Sequence, residues 1–428
     1  MKILIINLHS SRNAGDAALA ALAIQQLREN FPGCAITLSM TEPESHLGLE
    51  TTISSFGTWF KDARTQRFRG WAIPGLLIGC LLVAGLYRAT GRVILFFLPP
   101  ARQALLRAYL EADLVVSCPG GFLYDSKSGL GLVSSLYTLL YACWSGKPLY
   151  LLPQSFGPLK HIWQHWLMRF VLNQARLVMA RELLSLQLLK TIGVRQEICY
   201  FVPDLAFALE QKPRGWGHDW LSNRGFDPAI GGPLLGITVI DWAAQNASFE
   251  GQTRYEVAIA AVTRHFVTQW DGRVIYFPQV WDTIAGHDDR VPARRIVAQL
   301  SDIAERLLLV EETLPFEHLK ACYGWMQMFI GTRLHSNIFA LTEGVLVLAI
   351  GYQSKTAGVM QAAGLGEWVL DINEITPEVL LEKLVALWGK RENVQAALAQ
   401  TLPVLAQQAH QAGRFVLDDY SKYRRQKG

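Results

Sequence analysis

Short apolar runs alternate with segments of helical spacing along the whole chain. Residues 2–8 form an almost continuous apolar run, which is typical of a parallel strand buried on both faces of a sheet. A polar turn at 9–18 follows, residues 19–27 carry apolar side chains at helical spacing, and residues 34–40 predict a second strand. The start of the chain therefore predicts a strand, a helix and a second, parallel strand.

The same alternation continues through two halves of the chain. Proline and glycine concentrate at 211–233, which predicts a linker between a first domain at 1–210 and a second at 234–428 that ends in helices. In each half, several predicted strands end in polar or glycine-rich turns. We therefore predict an α/β protein with two doubly wound, Rossmann-like domains that face a cleft.

One stretch of the first domain, at about 71–101, interrupts this alternation as an apolar insertion. Residues 71–87 include no charged side chain, but a spanning helix needs roughly 20 apolar residues, and this run also holds one proline and three glycines. Three interpretations stay open: a hairpin that dips into one side of a membrane, a buried core helix and a transmembrane helix. Arginines at both ends favour an anionic membrane surface as a partner. These are Arg64, Arg67, Arg69, Arg88, Arg92, Arg102 and Arg107.

The candidate chemistry concentrates at 331–355, GTRLHSNIFALTEGVLVLAIGYQSK. This pattern predicts a strand end, a tight turn, a helix and a further strand, with Arg333, His335 and Ser336 at the first junction. Strand ends and the helix amino termini that follow them form the ligand crevice of such sheets and favour anions. Arginine offers a fork for phosphate or carboxylate, and histidine can transfer a proton near neutral pH. The alternative is structural: Arg333 would pair with a carboxylate such as Glu343, and His335 would be a half-buried residue.

The turn after the first predicted strand is a second candidate. Asn13, Gly15 and Asp16 lie where this turn meets the helix. They form either a ligand loop that faces the crevice or a plain helix start with Asp16 as the N-cap. The turn lacks the G-x-G-x-x-G spacing of a dinucleotide site.

Composition narrows the class of protein. Half of the 428 residues are hydrophobic, 18% are charged and the formal net charge is +4, so the whole-chain charge does not indicate a nucleic-acid partner. The six cysteines are scattered without a C-x-x-C pair, which fits buried thiols in a reducing compartment. His9, His287 and His335 show no metal-ligand spacing, so no metal is expected. Because the first apolar run is too short for a signal peptide, we expect a cytoplasmic protein.

Several motifs, taken in order, resemble the polysaccharide pyruvyl transferase family over essentially the whole chain. They are GDAA at 15–18, PGG at 119–121, R-E-x-x-S at 181–185, VPDLAF at 202–207, GTRLHSNIFAL at 331–341 and GYQSK at 351–355. Two halves that face a cleft also resemble the GT-B glycosyltransferases in architecture. In two places the chain departs from the family: members often have three glycines where it has Pro119, Gly120 and Gly121, and a proline where it has Leu346. Neither departure removes a titratable group.

The resemblance implies transfer of a pyruvyl group from phosphoenolpyruvate onto two hydroxyls of one sugar as a cyclic ketal, with release of phosphate. His335 would be the general acid that protonates the methylene carbon, with Arg333 beside it as a second catalytic residue. The residues expected to bind phosphoenolpyruvate are Arg181, Arg333, Ser336 and Lys355. Those expected at the acceptor side of the cleft are Asn13, Asp16, Gly120, Gly121 and Asp204. Phosphoenolpyruvate is then a co-substrate, and no cofactor is expected.

The acceptor would be a sugar of a polysaccharide or of a lipid-linked saccharide, in the biosynthesis of an exopolysaccharide or other cell-surface polysaccharide. A protein with this role would be cytoplasmic and peripheral on the inner face of the plasma membrane. Two other classes of function stay open: a GT-B glycosyltransferase that uses a nucleotide sugar, and a non-catalytic, membrane-bound assembly component. Mass analysis of the product separates a ketal from an added sugar, and dispensable cleft residues would indicate the assembly component.

Overall fold

The computed structural model describes residues 1–59, 72–96, 98–125, 130–210, 214–281 and 287–427. The chain divides into two compact units. The first consists of 1–11, 19–205 and 408–428, and the second of 12–18 and 206–407. Each unit contains one parallel β-sheet with helices packed on it, which confirms the predicted class of two parallel-sheet α/β domains.

The sheet of the first unit has eight parallel strands in the part of the chain that the structure describes. They are β1 (Lys2–Leu8), β2 (Ala35–Met40), β3 (Thr51–Ser54), β4 (Leu114–Ser117), β5 (Gly120–Leu123), β6 (Leu149–Phe156), β7 (Leu177–Ala180) and β8 (Cys199–Phe201). Their order is β3-β2-β1-β4-β6-β7-β8, and β5 pairs with β6 beyond the end of β4. Because the order reverses between β1 and β4, the switch point of this sheet lies there.

Helices before residue 205 bury the apolar faces of this sheet. They are α1 (Ala14–Asn30), α2 (Ala72–Thr90), α3 (Pro100–Glu111), α4 (Leu130–Trp144), α5 (Ile162–Leu172) and α6 (Leu183–Thr191). Residues of α2 to α6 and of the sheet share one hydrophobic core. At its centre the rings of Phe56, Tyr109 and Tyr141 contact one another, with centroids 4.9 to 5.7 Å apart.

The predicted apolar insertion is largely the helix α2. Trp71, where the predicted insertion begins, and the arginines at 64, 67 and 69 lie outside the described residues. Cys80, Val83 and Ala84 are buried in the core, so the core-helix interpretation holds for one face of α2. The opposite face is exposed to solvent. Among the helices that the structure describes, none combines the length and hydropathy needed to cross a bilayer.

The second unit contains a six-stranded parallel sheet in its described part. Its strands are β9 (Leu234–Thr238), β10 (Arg273–Tyr276), β11 (Leu307–Leu309), β12 (Met328–Gly331), β13 (Leu346–Gly351) and β14 (Val369–Asp371). The order is β11-β10-β9-β12-β13-β14, which is the 3-2-1-4-5-6 order of Rossmann folds, with its switch point between β9 and β12. The remaining helices are α7 (Gly215–Ser222), α8 (Trp242–Gln245), α9 (Gln252–Trp270), α10 (Arg290–Val297), α11 (Phe316–Tyr323), α12 (Leu334–Thr342), α13 (Ser354–Ala362), α14 (Pro377–Gly389), α15 (Arg391–Ala409) and α16 (Ala412–Lys427).

The structure divides the chain differently from the predicted boundaries in three places: residues 12–18 belong to the second unit, and the linker and the last segment also differ. The predicted linker at 211–233 contains α7, which belongs to the second unit. A methyl group on Gly217 would lie 2.3 Å from the carbonyl oxygen of Ala321, so this glycine permits close packing of α7 on α11 and does not mark a flexible linker. The last segment, 408–428, belongs to the first unit, where Asp419 of α16 accepts two hydrogen bonds of 2.8 Å from Arg176.

Candidate active site

The R-L-H-S segment lies at the switch point of the second sheet. The backbone N–H of Thr332 donates to the carbonyl of Thr238 at the end of β9, at 3.1 Å. Ser336 is fully buried, and its hydroxyl lies 2.7 Å from the Thr238 hydroxyl and 2.6 Å from the carbonyl of Arg333. These bonds fix the start of α12 against two neighbouring strands. The helix amino terminus therefore lies where open α/β sheets bind ligands.

The amino-terminal turn also belongs to the second unit. Asn13 forms an antiparallel bridge with Val280, and the N–H of Ala14 donates to the carbonyl of Gln279 at 3.0 Å. The side-chain oxygen of Asn13 accepts a hydrogen bond from the N–H of Gly15 at 3.0 Å, and so caps α1. The expectation that Asp16 is the N-cap is therefore wrong: Asp16 is half-buried in the first turn of the helix.

The two candidate motifs meet at Gly15 and His335. A methyl group on Gly15 would lie 2.0 Å from Nδ1 and 2.7 Å from Cβ of His335, so the half-buried imidazole packs directly on the glycine backbone. Gly15 is in the first turn of α1 and His335 in the first turn of α12. Two helix amino termini thus converge, and their N–H groups and positive dipole ends favour an anion.

Arg333 forms a buried ion pair beside this contact. Its Nη2 and Nε lie 2.6 and 3.1 Å from Oδ1 of Asp289. Asp289 also accepts the backbone N–H groups of Gln279 and Val280, both at 3.0 Å. Burial opposes the charge on Arg333, but Asp289 and the Tyr352 hydroxyl outweigh it and raise the pKa of the guanidinium above its ordinary value.

The structural alternative predicted an ion pair between Arg333 and a carboxylate, and the pair is present with a different partner from the one given as an example. Arg333 does pair with a carboxylate, but the carboxylate is Asp289. Glu343 instead accepts a hydrogen bond from buried Lys320 and lies 3.4 Å from Arg214. The local pairing expected along one helix therefore does not occur.

A third helix start is connected to the same place. The Tyr352 hydroxyl, in the turn between β13 and α13, contributes to the raised pKa of Arg333, and its ring packs on that of Trp242 at 4.6 Å between centroids. Lys355 is the second residue of α13 and is half-buried. In the second unit, Arg333, His335 and Lys355 therefore each lie at the amino terminus of a helix.

Another buried arginine pair lies in the first unit, at the ends of β6 and β7. Arg181 donates to Asp204 at 2.7 Å and to the Ser155 hydroxyl at 2.7 Å. Glu182 accepts hydrogen bonds from Ser155 at 3.1 Å and from Ser185 at 2.5 Å. Burial raises the pKa of Glu182, and the charge of Arg181 opposes this rise. All five side chains are buried.

The P-G-G motif also belongs to the first unit. Gly120 pairs with Gln154 of β6 and has a φ of +157°, which favours glycine. Gln154 donates to the Ser117 hydroxyl at 2.7 Å, and Asn7 donates to the same hydroxyl at 3.1 Å. Gly121 follows within β5. The motif therefore lies beside the switch point of the first sheet.

The predicted site residues thus fall into two groups. Residues of the second unit are Asn13, Asp16, Arg333, His335, Ser336 and Lys355, and those of the first are Gly120, Gly121, Arg181 and Asp204. Asp289 and Tyr352 were not among the predicted site residues. Asp289 ends a polar turn after β10, and Tyr352 lies in the G-Y-Q-S-K motif. A polar turn after a strand and a family motif could both have identified these residues as candidates. Among the described residues, no three histidine, cysteine or carboxylate side chains come together as a metal site.

Solved structures share this fold. HepE from Anabaena, in complex with UDP, has a TM-score of 0.56 at 13% identity and covers 99% of this chain and 100% of its own. MnaA from S. aureus, in a co-structure with UDP, has a TM-score of 0.60 at 10% identity, with coverage of 99% and 96%. UDP-GlcNAc 2-epimerase from Neisseria meningitidis has a TM-score of 0.56 at 9% identity, with coverage of 99% and 100%. These similarities define the class of protein by its fold alone, as a GT-B-like α/β protein.

The sequence match is more specific. The sequence pattern of the family described as polysaccharide pyruvyl transferase matches residues 13–354, which include both Gly15 and His335. The chain therefore belongs to the polysaccharide pyruvyl transferase family, as its motifs indicated. A curated relative, the amylovoran biosynthesis protein AmsJ from Erwinia amylovora, is 22% identical over 405 residues, which are 94% of this chain and 95% of AmsJ.

Proposed function

We propose that this protein transfers a pyruvyl group from phosphoenolpyruvate onto two hydroxyls of one sugar, in the biosynthesis of an exopolysaccharide or other cell-surface polysaccharide. Family membership and the similarity to AmsJ support this role. The observation that carries the proposal is the contact between Gly15 and His335. It joins two distant family motifs at two helix amino termini, where an anionic substrate and a proton donor are both needed.

The reaction needs a proton on the methylene carbon of phosphoenolpyruvate, and protonated His335 would donate it. One sugar hydroxyl then bonds to C2 and loses its proton. The bond between C2 and the phosphate oxygen breaks, and its electron pair leaves with phosphate. The second hydroxyl bonds to C2 and also loses its proton. One of these two protons restores the histidine and the other leaves with phosphate, so the products are the ketal and hydrogen phosphate.

Substrate binding would use the convergent helix starts of the second unit. Phosphoenolpyruvate carries a phosphate and a carboxylate, both of which suit helix amino termini and cationic side chains. Lys355 would supply one cation from the first turn of α13. Arg333, held by Asp289, would fix the start of α12 and remains a prediction for binding phosphoenolpyruvate. Because the Ser336 hydroxyl bonds to Thr238 and Arg333, Ser336 would contribute through its backbone N–H.

The other predicted site residues have less direct support. Arg181 remains a prediction for donor binding, and its buried pair with Asp204 favours a structural role as well. Asn13, Asp16, Gly120, Gly121 and Asp204 remain predictions for the acceptor side. The acceptor itself would be a sugar of the polysaccharide repeat, free or carried on a lipid.

The test is to incubate the purified chain with phosphoenolpyruvate and a panel of free and lipid-linked saccharides. We expect release of inorganic phosphate only when an acceptor is present, and a product heavier than the acceptor by pyruvate minus water. The same panel is incubated with nucleotide sugars. A product heavier by one sugar residue, without any use of phosphoenolpyruvate, would show a glycosyltransferase instead.

A further inference from the structure

Helices α2, α4, α5 and α6 form one layer on the sheet of the first unit. The strand connections that contain them all step in the same direction, from β3 to β4 and then through β6, β7 and β8. Right-handed crossovers therefore place these helices on one face of the sheet. Direct bonds join α4 to α2: the Tyr137 hydroxyl donates to the carbonyl of Leu77 at 2.7 Å, and the Trp144 indole to that of Leu81 at 2.9 Å.

The outer side of this layer is apolar. On α2, Ile78, Leu82 and Leu86 are spaced four residues apart and are 45% to 69% exposed. On α5, a second stripe is 47% to 86% exposed. It consists of Ile162, Trp163, Trp166 and Phe170. We call these two stripes the apolar face. Exposed apolar stripes of this kind mark an interaction site, since single exposed residues would be scattered.

The charged side chains on these four helices have one sign. None of the four helices contains an aspartate, and none contains a glutamate. They carry Arg88, Arg169 and Lys190, all of which are exposed. Trp163 and Trp166 add the aromatic rings that favour the interface between water and lipid. An apolar face with aromatic rings, cations and no acids is complementary to an anionic phospholipid surface.

A cationic pocket lies where α2 ends. It has a volume of about 620 Å³ and is lined by Arg88, Lys147, Arg176 and Lys427, with no acidic residue among its lining residues. Asp419 holds Arg176 in place through two hydrogen bonds. The ammonium of Lys147 lies 5.1 Å from the ring centroid of Tyr87, another residue of α2. The pocket offers several donors to one anionic group beside the helix that carries the apolar face.

We propose that the apolar face docks on an anionic phospholipid bilayer and that the cationic pocket takes a lipid phosphate. The two stripes would lie at the level of the headgroups, parallel to the membrane, and would not span it. Because Arg88 lines the pocket and is two residues beyond Leu86 on α2, the pocket would also lie at the level of the headgroups. Charge complementarity decides for lipid over a second copy of this chain, because two such faces would place like charges together.

The test is co-sedimentation of the full chain with vesicles of phosphatidylglycerol and phosphatidylcholine, and with vesicles of phosphatidylcholine alone. We expect at least tenfold tighter binding to the anionic vesicles. High salt should weaken this binding only in part, because the apolar contact does not depend on screening. Leu82→Asp combined with Trp166→Asp should abolish binding, and Arg88→Glu combined with Lys147→Glu should reduce it about tenfold.

Matched controls lie on exposed helices of the second unit. Val379→Asp with Val404→Asp, and Lys390→Glu with Arg391→Glu, also replace exposed apolar side chains by Asp and exposed cations by Glu, and should leave binding unchanged. Circular dichroism confirms that each variant is folded. Wild-type binding by the Leu82 and Trp166 variant would overturn the proposal. Self-association without vesicles that this variant abolishes would also overturn it, and would show that the face is an interface between copies.

Discussion

Two buried arginine–aspartate pairs, one in each unit, share a local design and differ in what surrounds them. Arg181 follows β7 and pairs with Asp204, and Arg333 follows β12 and pairs with Asp289. In both, a serine in the first turn of the next helix bonds to a neighbouring strand. The Ser185 hydroxyl accepts from the N–H of Phe156 in β6, and the Ser336 hydroxyl bonds to Thr238 in β9.

The surroundings of the two arginines differ. Arg181 is enclosed by Ser155, Glu182 and Asp204, so its donors end on buried protein groups. Arg333 instead lies two residues before the half-buried His335, where the first turn of α12 contacts the first turn of α1. The same strand-arginine-serine design therefore encloses Arg181 in buried pairs in one unit and, in our proposal, positions His335 in the other.

The largest expected effect is on turnover, from His335→Ala. Loss of the general acid should lower the rate of phosphate release from phosphoenolpyruvate by roughly 10²–10⁴-fold. The free energy of unfolding should change little, because the side chain is only half-buried. His410→Ala, at an exposed position, is the matched control and should keep the wild-type rate. A normal rate in the His335 variant would remove the histidine from the mechanism.

The next effect is on stability, from Arg181→Ala. This change leaves Asp204 and Glu182 buried without their cation, which should lower the free energy of unfolding by about 3–5 kcal/mol. Denaturant unfolding of the first unit measures it. The control is Arg195→Ala, which breaks an exposed pair with Glu197 at 3.7 Å and should cost about 0–1 kcal/mol. Equal effects of the two substitutions would contradict a structural role for the buried pair.

Much of the fold could be predicted because parallel strands buried on both faces leave unbroken apolar runs. The run at 345–350 became β13, Leu346–Gly351, with a shift of one residue. The helix α7 was missed because its glycines were interpreted as a linker, although Gly217 serves close packing against Ala321. No local pattern shows that 408–428 belongs to the first unit, because its contacts with Arg176 and Tyr150 are more than 240 positions distant.

Only those site residues that are close together in the sequence could be predicted from it. Arg333, His335 and Ser336 are adjacent in sequence, and the strand-to-helix junction identified them. Asp289 is 44 positions away from Arg333, so the sequence could offer only a nearby carboxylate such as Glu343 as an example of a structural partner. The contact of Gly15 with His335 joins segments about 320 positions apart, which only family motifs or a structure can bring together.

A smaller effect on turnover is expected from Gly15→Ala. The added methyl group would overlap the His335 imidazole, so the ring must move. Displacement of a catalytic group by about 1 Å can lower the rate by roughly 10²-fold. Gly389→Ala adds a methyl group at a position with no atom within 4 Å and is the matched control. If Gly15→Ala turns over normally, the position of the imidazole is not critical and the proposed role of the contact is wrong.

The smallest effect is expected from Arg333→Lys, which keeps the charge and removes the fork. Lysine cannot make both bonds to Asp289 and also reach Tyr352, so the start of α12 should lose part of its fixed geometry. We expect roughly a tenfold loss in kcat/KM for phosphoenolpyruvate, equivalent to about 1.4 kcal/mol in the barrier. Arg214→Lys, at a half-exposed arginine that lies 3.4 Å from Glu343, is the matched control.

The kinetic constants of Arg333→Lys also decide how this arginine acts. If its guanidinium binds phosphoenolpyruvate directly, the ground-state complex weakens and KM rises. If it acts by positioning His335 through α12, kcat falls while KM stays close to the wild-type value, because only the transition state loses its contact. The buried pair with Asp289 favours the second result, because Nε and Nη2 of Arg333 already donate hydrogen bonds to this carboxylate. Unchanged kcat and KM would leave Arg333 with a structural role only.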